Sequence, residues 1–226
     1  MDEIILKTKK ALENNNMVAY AVETKQEAVE LFRNIVKKES AVAVGGSVTL
    51  NQVGIIDMLR NENYHFIDRY EEGIPPDEIK RRFRLGLSAD YFIMSSNAIT
   101  QDGCLYNVDG VGNRVAALCY GPDNIIVIAG KNKIVKDLKE AELRIKTIAC
   151  PKNCNRLGIE SYCSNTGRCL SLNNDETFIT DGCNADSRIC STYVISAKQR
   201  NKGRITVILV NEELGYWFCN INLTYF

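Results

Sequence analysis

Six of the nine cysteines, Cys150, Cys154, Cys163, Cys169, Cys183 and Cys190, crowd into one stretch of the 226-residue chain. Within it Cys163 and Cys169 are separated by five residues, Cys183 and Cys190 by six, with turn-forming Asn, Gly and Asp inside each interval. Four thiolates offered from two such loops, Cys163, Cys169, Cys183 and Cys190, could make a tetrahedral zinc site or hold an iron-sulfur cluster, and the spacing does not separate the two. The competing reading is a set of reduced, partly buried thiols with no metal. Cys150 and Cys154, divided by PKN, either replace one of the four or pack beside them. Cys104 and Cys119 lie in the apolar body of the chain.

Two further segments carry groups suited to holding an anion. GGSVTL, residues 45–50, follows the apolar run AVAV and precedes an apparent helix. Its glycine amides, the Ser47 and Thr49 hydroxyls and the helix start could together receive a phosphate or carboxylate, although capping and close packing explain the same residues. The segment SSNAITQDGCLYNVDGVGNRVAALCYG, residues 95–121, lies between two strongly apolar runs. Asp102-Gly103 signals a tight turn between AIT and CLYNV, and Gly110, Gly112 and Asn113 lead into a helical RVAALCY. That pattern predicts a hairpin beside an anion-receptive helix start. Neither segment has the GKS or GKT ending of a P-loop or a complete dinucleotide fingerprint.

The elements that must position these groups alternate. MDEIILKTKKALENNN has helical spacing, and MVAYAV reads as a buried strand. Thr24 caps KQEAVELFRNIVKKE with Glu27 three residues on, a capping-box pattern. AVAV, HFIDRY, DYFIMSS and DNIIVIAG read as strands, and PPDEIKRRFRLGLSA as a helix opened by proline. NKIVKDLKEAELRIKTIACPKNCNRLG reads as one long helix, bent or ended near Pro151. GRITVILVNEELGYWF supplies the last strand. Strands alternating with amphipathic helices predict a three-layer α/β/α fold with a mostly parallel sheet. The expected organisation is a single domain over 1–226, with a cysteine-rich insertion at 150–192 before the last strand.

Composition narrows the function. With 45% apolar and 25% charged residues the chain can bury a sizeable core, and 28 basic residues balance 28 acidic ones. A net charge of zero provides no broad basic footprint, which argues against nucleic acid and anionic membranes as partners. The N-terminus lacks the regions of a signal peptide and no apolar run approaches a membrane span, so a cytoplasmic protein with reduced thiols is expected. His65, the only histidine, adjoins Phe66 on a strand, which leaves histidine-dependent triads and multi-histidine zinc hydrolysis without support. Tyr216, Trp217 and Phe218 are expected to cap the core edge or a partner interface.

GGSVTLNQVGI, SSNAITQDGCLYNVDGVGNRVAALCYGPDNIIVIAGKNKIV, RLGIESYC and GRITVILVNEELGYWF, in that order, resemble the lactate-utilisation (LUD) domain family over most of the chain. The resemblance implies a fold similar to the sugar-phosphate isomerase and coenzyme A transferase superfamily. It also implies relatives that work with iron-sulfur oxidoreductase subunits in oxidising L-lactate to pyruvate. Carried over residue by residue, the ligand-cleft candidates are Gly45, Gly46, Ser47 and Thr49 in the first loop. Asn97, Asp102, Asn107, Asp109, Gly110, Gly112, Asn113 and Arg114 match the second motif, and Lys131, Asn132 and Lys133 the loop after DNIIVIAG. Arg114 with Lys131 or Lys133 could bind a small anionic metabolite, while Asp102 or Asp109 could orient it or move a proton, or serve only as turn formers. The cysteine group around TG-x-C and R-I-C, also seen in related members, matches Cys169 and Cys190.

Two functions stand at this point. One is a redox accessory or electron-transfer component of organic-acid oxidation, with cleft and cysteines both taking part. The other is a stand-alone enzyme acting on a phosphorylated or coenzyme A-linked metabolite, its cysteine segment held by structural zinc.

Overall fold

The computed structural model describes residues 1–175 and 178–216. Trp217, Phe218 and Cys219 lie outside these residues. In chain order the elements are α1 (Glu3–Asn14), β1 (Val18–Val22), α2 (Lys25–Ile35), β2 (Ala41–Val44), α3 (Val48–Val53), α4 (Ile55–Asn61), β3 (His65–Ile67), α5 (Pro76–Leu85) and β4 (Tyr91–Met94). They continue through β5 (Ala98–Thr100), β6 (Leu105–Asp109), α6 (Asn113–Tyr120), β7 (Asn124–Gly130), β8 (Ile134–Val135), α7 (Leu138–Arg144), α8 (Cys150–Leu157), α9 (Tyr162–Thr166), β9 (Thr192–Ser196) and β10 (Ile205–Val210).

Six strands form a wholly parallel sheet in the order β1-β10-β7-β4-β2-β3. Side chains alternate across it, as the two-residue period of a strand requires. Ile126 and Ile128 of β7 pack with Phe32 of α2 and Leu50, Ile55 and Leu59 of α3 and α4. Ile125, Val127 and Ala129 face the other way, toward Ile5 and Leu12 of α1 and Leu118 of α6. Helices thus cover both faces. The helix starts obey the expected chemistry: the Thr24 hydroxyl accepts from Glu27 N while Glu23 N donates to the Glu27 carboxylate, and Ser47 caps α3.

A second sheet, β8-β5-β6-β9, sits beside the first. β5 and β6 are the expected antiparallel hairpin, while β8 and β9 add strands that the periodicity did not announce. Ile134 and Val135 pair with Ile99 and Thr100, so the helix expected from Asn132 onward begins only after the Asp137 cap. That helix passes Pro151 and continues to Leu157. The reason is a wider π turn over Ile145–Ala149, just where a ring lacking an N–H would clash with the carbonyl four residues back. Gly158, at φ 64, ends it.

The cysteine-bearing stretch is not set apart from the body. α8 continues the helix that starts at Leu138, and Cys150, Cys154, Cys163 and Cys190 pack with Ala98, Tyr106 and Val108 of the second sheet. The hairpin tip is in turn anchored to α1, where Asn15 Nδ2 donates to the carbonyls of Asp102 and Gly103 at 3.0 and 3.1 Å. Gly103 has φ 86, and a Cβ there would lie 2.7 Å from the Ala11 carbonyl carbon. Gly103→Ala is therefore expected to cost about 2 kcal/mol, read as a lower urea midpoint with an unchanged slope.

Candidate functional site

Because the main sheet is wholly parallel, its loops at the carboxyl ends open on one side. In the order β7-β4-β2 those ends are adjacent, so Lys131–Lys133, Ser95–Asn97 and Gly45–Thr49 meet there. From these loops Lys133, Ser95–Asn97 and Gly46–Thr49 form the floor and one wall of a cleft of about 420 Å³. The opposite wall comes from Val108–Arg114, from Ala149–Ile159 around α8, and from Asp186–Ser191.

Of the residues expected from the sequence, Gly46, Ser47, Thr49 and Asn97 line this cleft. So do Asp109, Gly110, Asn113 and Arg114. Gly45 and Asn107 lie just behind it. A Cβ on Gly45 would stand 2.9 Å from Arg114 Cδ, so the glycine admits that side chain rather than a ligand. Gly112, at φ 88, turns the chain into α6. Asp102 is at the hairpin tip, bonded to the Thr100 hydroxyl, and the exposed Lys131 points elsewhere; neither lines the cleft.

Local hydrogen bonding corrects two expectations about roles. Asp109 Oδ2 accepts from the backbone amides of Arg114 and Val115 at 3.0 and 3.3 Å. The start of α6, expected to receive an external anion, is filled by the chain's own carboxylate. Arg114 is buried and directed inward. Its Nη1 donates to Ser95 O at 3.1 Å and Asn107 Oδ1 at 2.7 Å, and its Nη2 to Asn97 Oδ1 at 2.9 Å and Val108 O at 2.7 Å. The guanidinium clamps β4, β6 and α6 together.

Lys133 sits on the floor. Its Nζ lies 2.7 Å from both Thr49 Oγ1 and Ser95 Oγ, and burial, reinforced by the nearby Arg144 and Arg114, pushes its pKa well below the ordinary lysine range. Arg144 is also buried, which lowers it to about 10, and bonds to the carbonyls of Asn132 and Tyr216. Tyr216, expected at the core edge or a partner interface, lines the cleft, with its hydroxyl accepting from Arg156 at 3.0 Å.

Arg69 was missed by the sequence reading. It lies two residues beyond β3, with its guanidinium 4.4 Å from the Phe83 ring centre and 5.2 Å from that of Tyr70. Its Nη1 would be 3.5 Å from a Cβ on Gly46, and its buried Nε has no hydrogen-bond partner among the described residues. The available signal was position alone: a cation directly after a strand of a parallel sheet.

A second, much smaller void of about 20 Å³ is lined by Cys150, Cys163, Cys169, Cys183 and Cys190. Cys154 of α8 packs beside Cys163, whose Sγ lies 3.9 Å from its sulfur. A hydrogen bond from Cys150 holds the Cys190 thiol below its ordinary range, with Arg188 and Tyr193 acting in the same direction. The donor set, thiols facing one water-sized void, suits a thiophilic metal. Among the described residues, however, no group of three His, Cys, Asp or Glu side chains has the arrangement that holds an ion. Cys150 lines both the void and the large cleft.

Fold and cleft together define an α/β protein with a ligand-sized hollow at the carboxyl ends of its parallel strands. The chain belongs to the LUD domain family, which it matches over residues 5–210. Among solved structures it is similar to a DUF162 family protein from Deinococcus radiodurans, at 12% identity over 93% of this chain and 97% of that one, with a TM-score of 0.46. No curated protein matches it. Among the described residues no helix is long and apolar enough to cross a membrane.

Proposed function

We propose that this LUD domain protein binds a small anionic metabolite, a carboxylate or phosphate ester, in the cleft and acts as a redox accessory or electron-transfer component of lactate-type organic-acid oxidation. The observation that carries the binding half is the charge in the cleft. Arg69, Arg114, Arg144, Arg156 and Arg188, with the amine of Lys133, face two carboxylates, Asp109 and Asp186, and Arg69 Nε has no partner among the described residues. In a hollow partly shielded from water, such an excess attracts and orients an anion far more strongly than the same charges dispersed over the surface.

Support for the redox half is the contiguity of the thiol-lined void with the cleft through Cys150. Cys163, Cys169, Cys183 and Cys190 are the residues that would hold the centre. An iron-sulfur cluster would supply electron transfer and a point of exchange with iron-sulfur oxidoreductase subunits, whereas zinc would only order the segment. The second reading, a stand-alone enzyme on a phosphorylated or coenzyme A-linked metabolite, is favoured by the same cations, which suit phosphate as well as carboxylate.

Calorimetric titration with lactate, pyruvate and inorganic phosphate tests the binding half; the absence of any measurable heat from all three would sink it. Anaerobic purification separates the readings. Brown protein containing iron and acid-labile sulfide supports the redox role, colourless protein with stoichiometric zinc the stand-alone one, and no metal removes both metal assignments. In metal-containing protein, Cys169→Ser is expected to lower metal content and to increase protease nicking between Cys163 and Cys190 while the α/β body stays folded.

A further inference from the structure

Lys133 is the one lysine on the cleft floor, 7% exposed, at the carboxyl end of the central strand β7. Among the described residues no ion pair reaches it. Its surroundings instead specify an amine. Ser95 Oγ donates its own hydrogen to the carbonyl of Ile128, at 2.6 Å, so toward Lys133 it can only accept. Thr49 Oγ1 takes the second contact at 2.7 Å. Two N–H groups are thus directed to two hydroxyls, and a third proton would find no acceptor among the described residues, whereas a neutral amine in the same position is left with one lone pair. The backbone at Gly215 closes the site from behind, since a Cβ there would meet Thr49 Oγ1 at 2.7 Å and Lys133 Nζ at 3.2 Å.

We propose that Lys133 is a nucleophile that condenses with the ketone or aldehyde carbon of a small metabolite also carrying an anionic group. This rests on the reading of the cleft as an anion site and names the substrate class. The anionic end would be held by the unpaired Arg69, and the carbonyl end presented to Nζ. In the step, the nitrogen lone pair forms the C–N bond while the carbonyl π pair moves to oxygen, which takes up one of the two amine protons, giving a neutral carbinolamine. That oxygen then leaves as water with a second proton drawn from nitrogen, so amine and carbonyl become imine and one water with no change of oxidation state. Burial contributes by lowering the pKa of the amine, which raises the share of the neutral, attacking form above that of exposed lysines.

The experiment is borohydride trapping on the full chain. The protein is incubated near pH 7 with pyruvate or, separately, dihydroxyacetone phosphate; imine is reduced to a stable secondary amine, and adducts are located by peptide mass mapping. Adduct at Lys133 is expected in at least about tenfold excess over any surface lysine, since the cleft holds the probe beside Nζ while burial disfavours the ammonium form. Excess lactate, which has an anionic group but no reactive carbonyl, should protect Lys133. The probe that reacts better distinguishes an oxo acid from a sugar phosphate. Lys133→Arg should abolish the specific adduct; if that variant does not fold, the wild-type map alone decides. Adducts spread evenly over surface lysines, with lactate or phosphate still bound, would overturn the nucleophile and leave the anion site standing. Failure of every anion to bind would remove the site itself and the inference with it.

Discussion

Arg114→Met is expected to lower folding stability by about 3 kcal/mol, among the largest effects of any single change in the cleft. The guanidinium is buried and its two terminal nitrogens serve four acceptors drawn from the ends of β4 and β6 and the loop between them. Two effects oppose one another. Methionine relieves the cost of burying a cation, a cost visible in the lowering of the Arg114 pKa by burial. It also orphans the Ser95 and Val108 carbonyls and Asn107 Oδ1, each worth about 1–3 kcal/mol when left dry. Three orphaned acceptors outweigh one relieved charge, so the net sign is destabilising. Arg114→Lys should recover less than half of the loss, because one ammonium cannot reproduce a planar fork spanning four acceptors. Urea unfolding reads both variants, and a loss under about 1 kcal/mol for the methionine would show that Arg114 is not the clamp.

Arg69→Ala is expected to behave in the opposite manner, with affinity for pyruvate or phosphate falling at least about tenfold while stability moves by less than about 1 kcal/mol. Its contacts within the chain are the faces of Phe83 and Tyr70, each worth about 0.5–1 kcal/mol. Losing them is offset by removing a guanidinium whose buried Nε has no partner and whose pKa burial depresses. An anion accepting that donor gains a charge-assisted bond in a site sheltered from screening, so salt should weaken binding only modestly. Titration calorimetry on the folded variant checks the expectation. Unchanged affinity would mean that the anion is held elsewhere in the cleft, with Arg156 the next candidate.

Much of the fold was legible because its causes are local. The capping pair Thr24 and Glu27, the Pro76 start of α5, the Asp102-Gly103 turn and the continuous apolar runs AVAV, YFIM and IIVIAG act over a few residues, and each element formed where those signals put it. Two strands escaped notice for the complementary reason. Ile134–Val135 and Thr192–Ser196 are held by pairing with β5 and β6, partners distant in the chain, and carry little signal of their own. The helix through Pro151 likewise depended on a π turn that no composition rule marks.

The sequence by itself determined that strands alternate with helices, that glycine- and hydroxyl-rich loops follow β2 and β4, and that thiols accumulate late in the chain. Only the tertiary structure decided which of these residues act together. Strand order set the ends of β2, β4 and β7 side by side, bringing Lys133 to Thr49 across 84 positions, and it gathered five arginines at one cleft in a chain of zero net charge. It also decided which charges stay available: Asp109 caps its own helix and Arg114 is occupied by four acceptors, while Arg69 has an unpaired donor. The physical reason is range. Caps, turns and periodicity report interactions a few residues apart, whereas charge concentration, desolvation and the sharing of hydrogen-bond partners depend on groups whose distance along the chain says nothing of their distance in space.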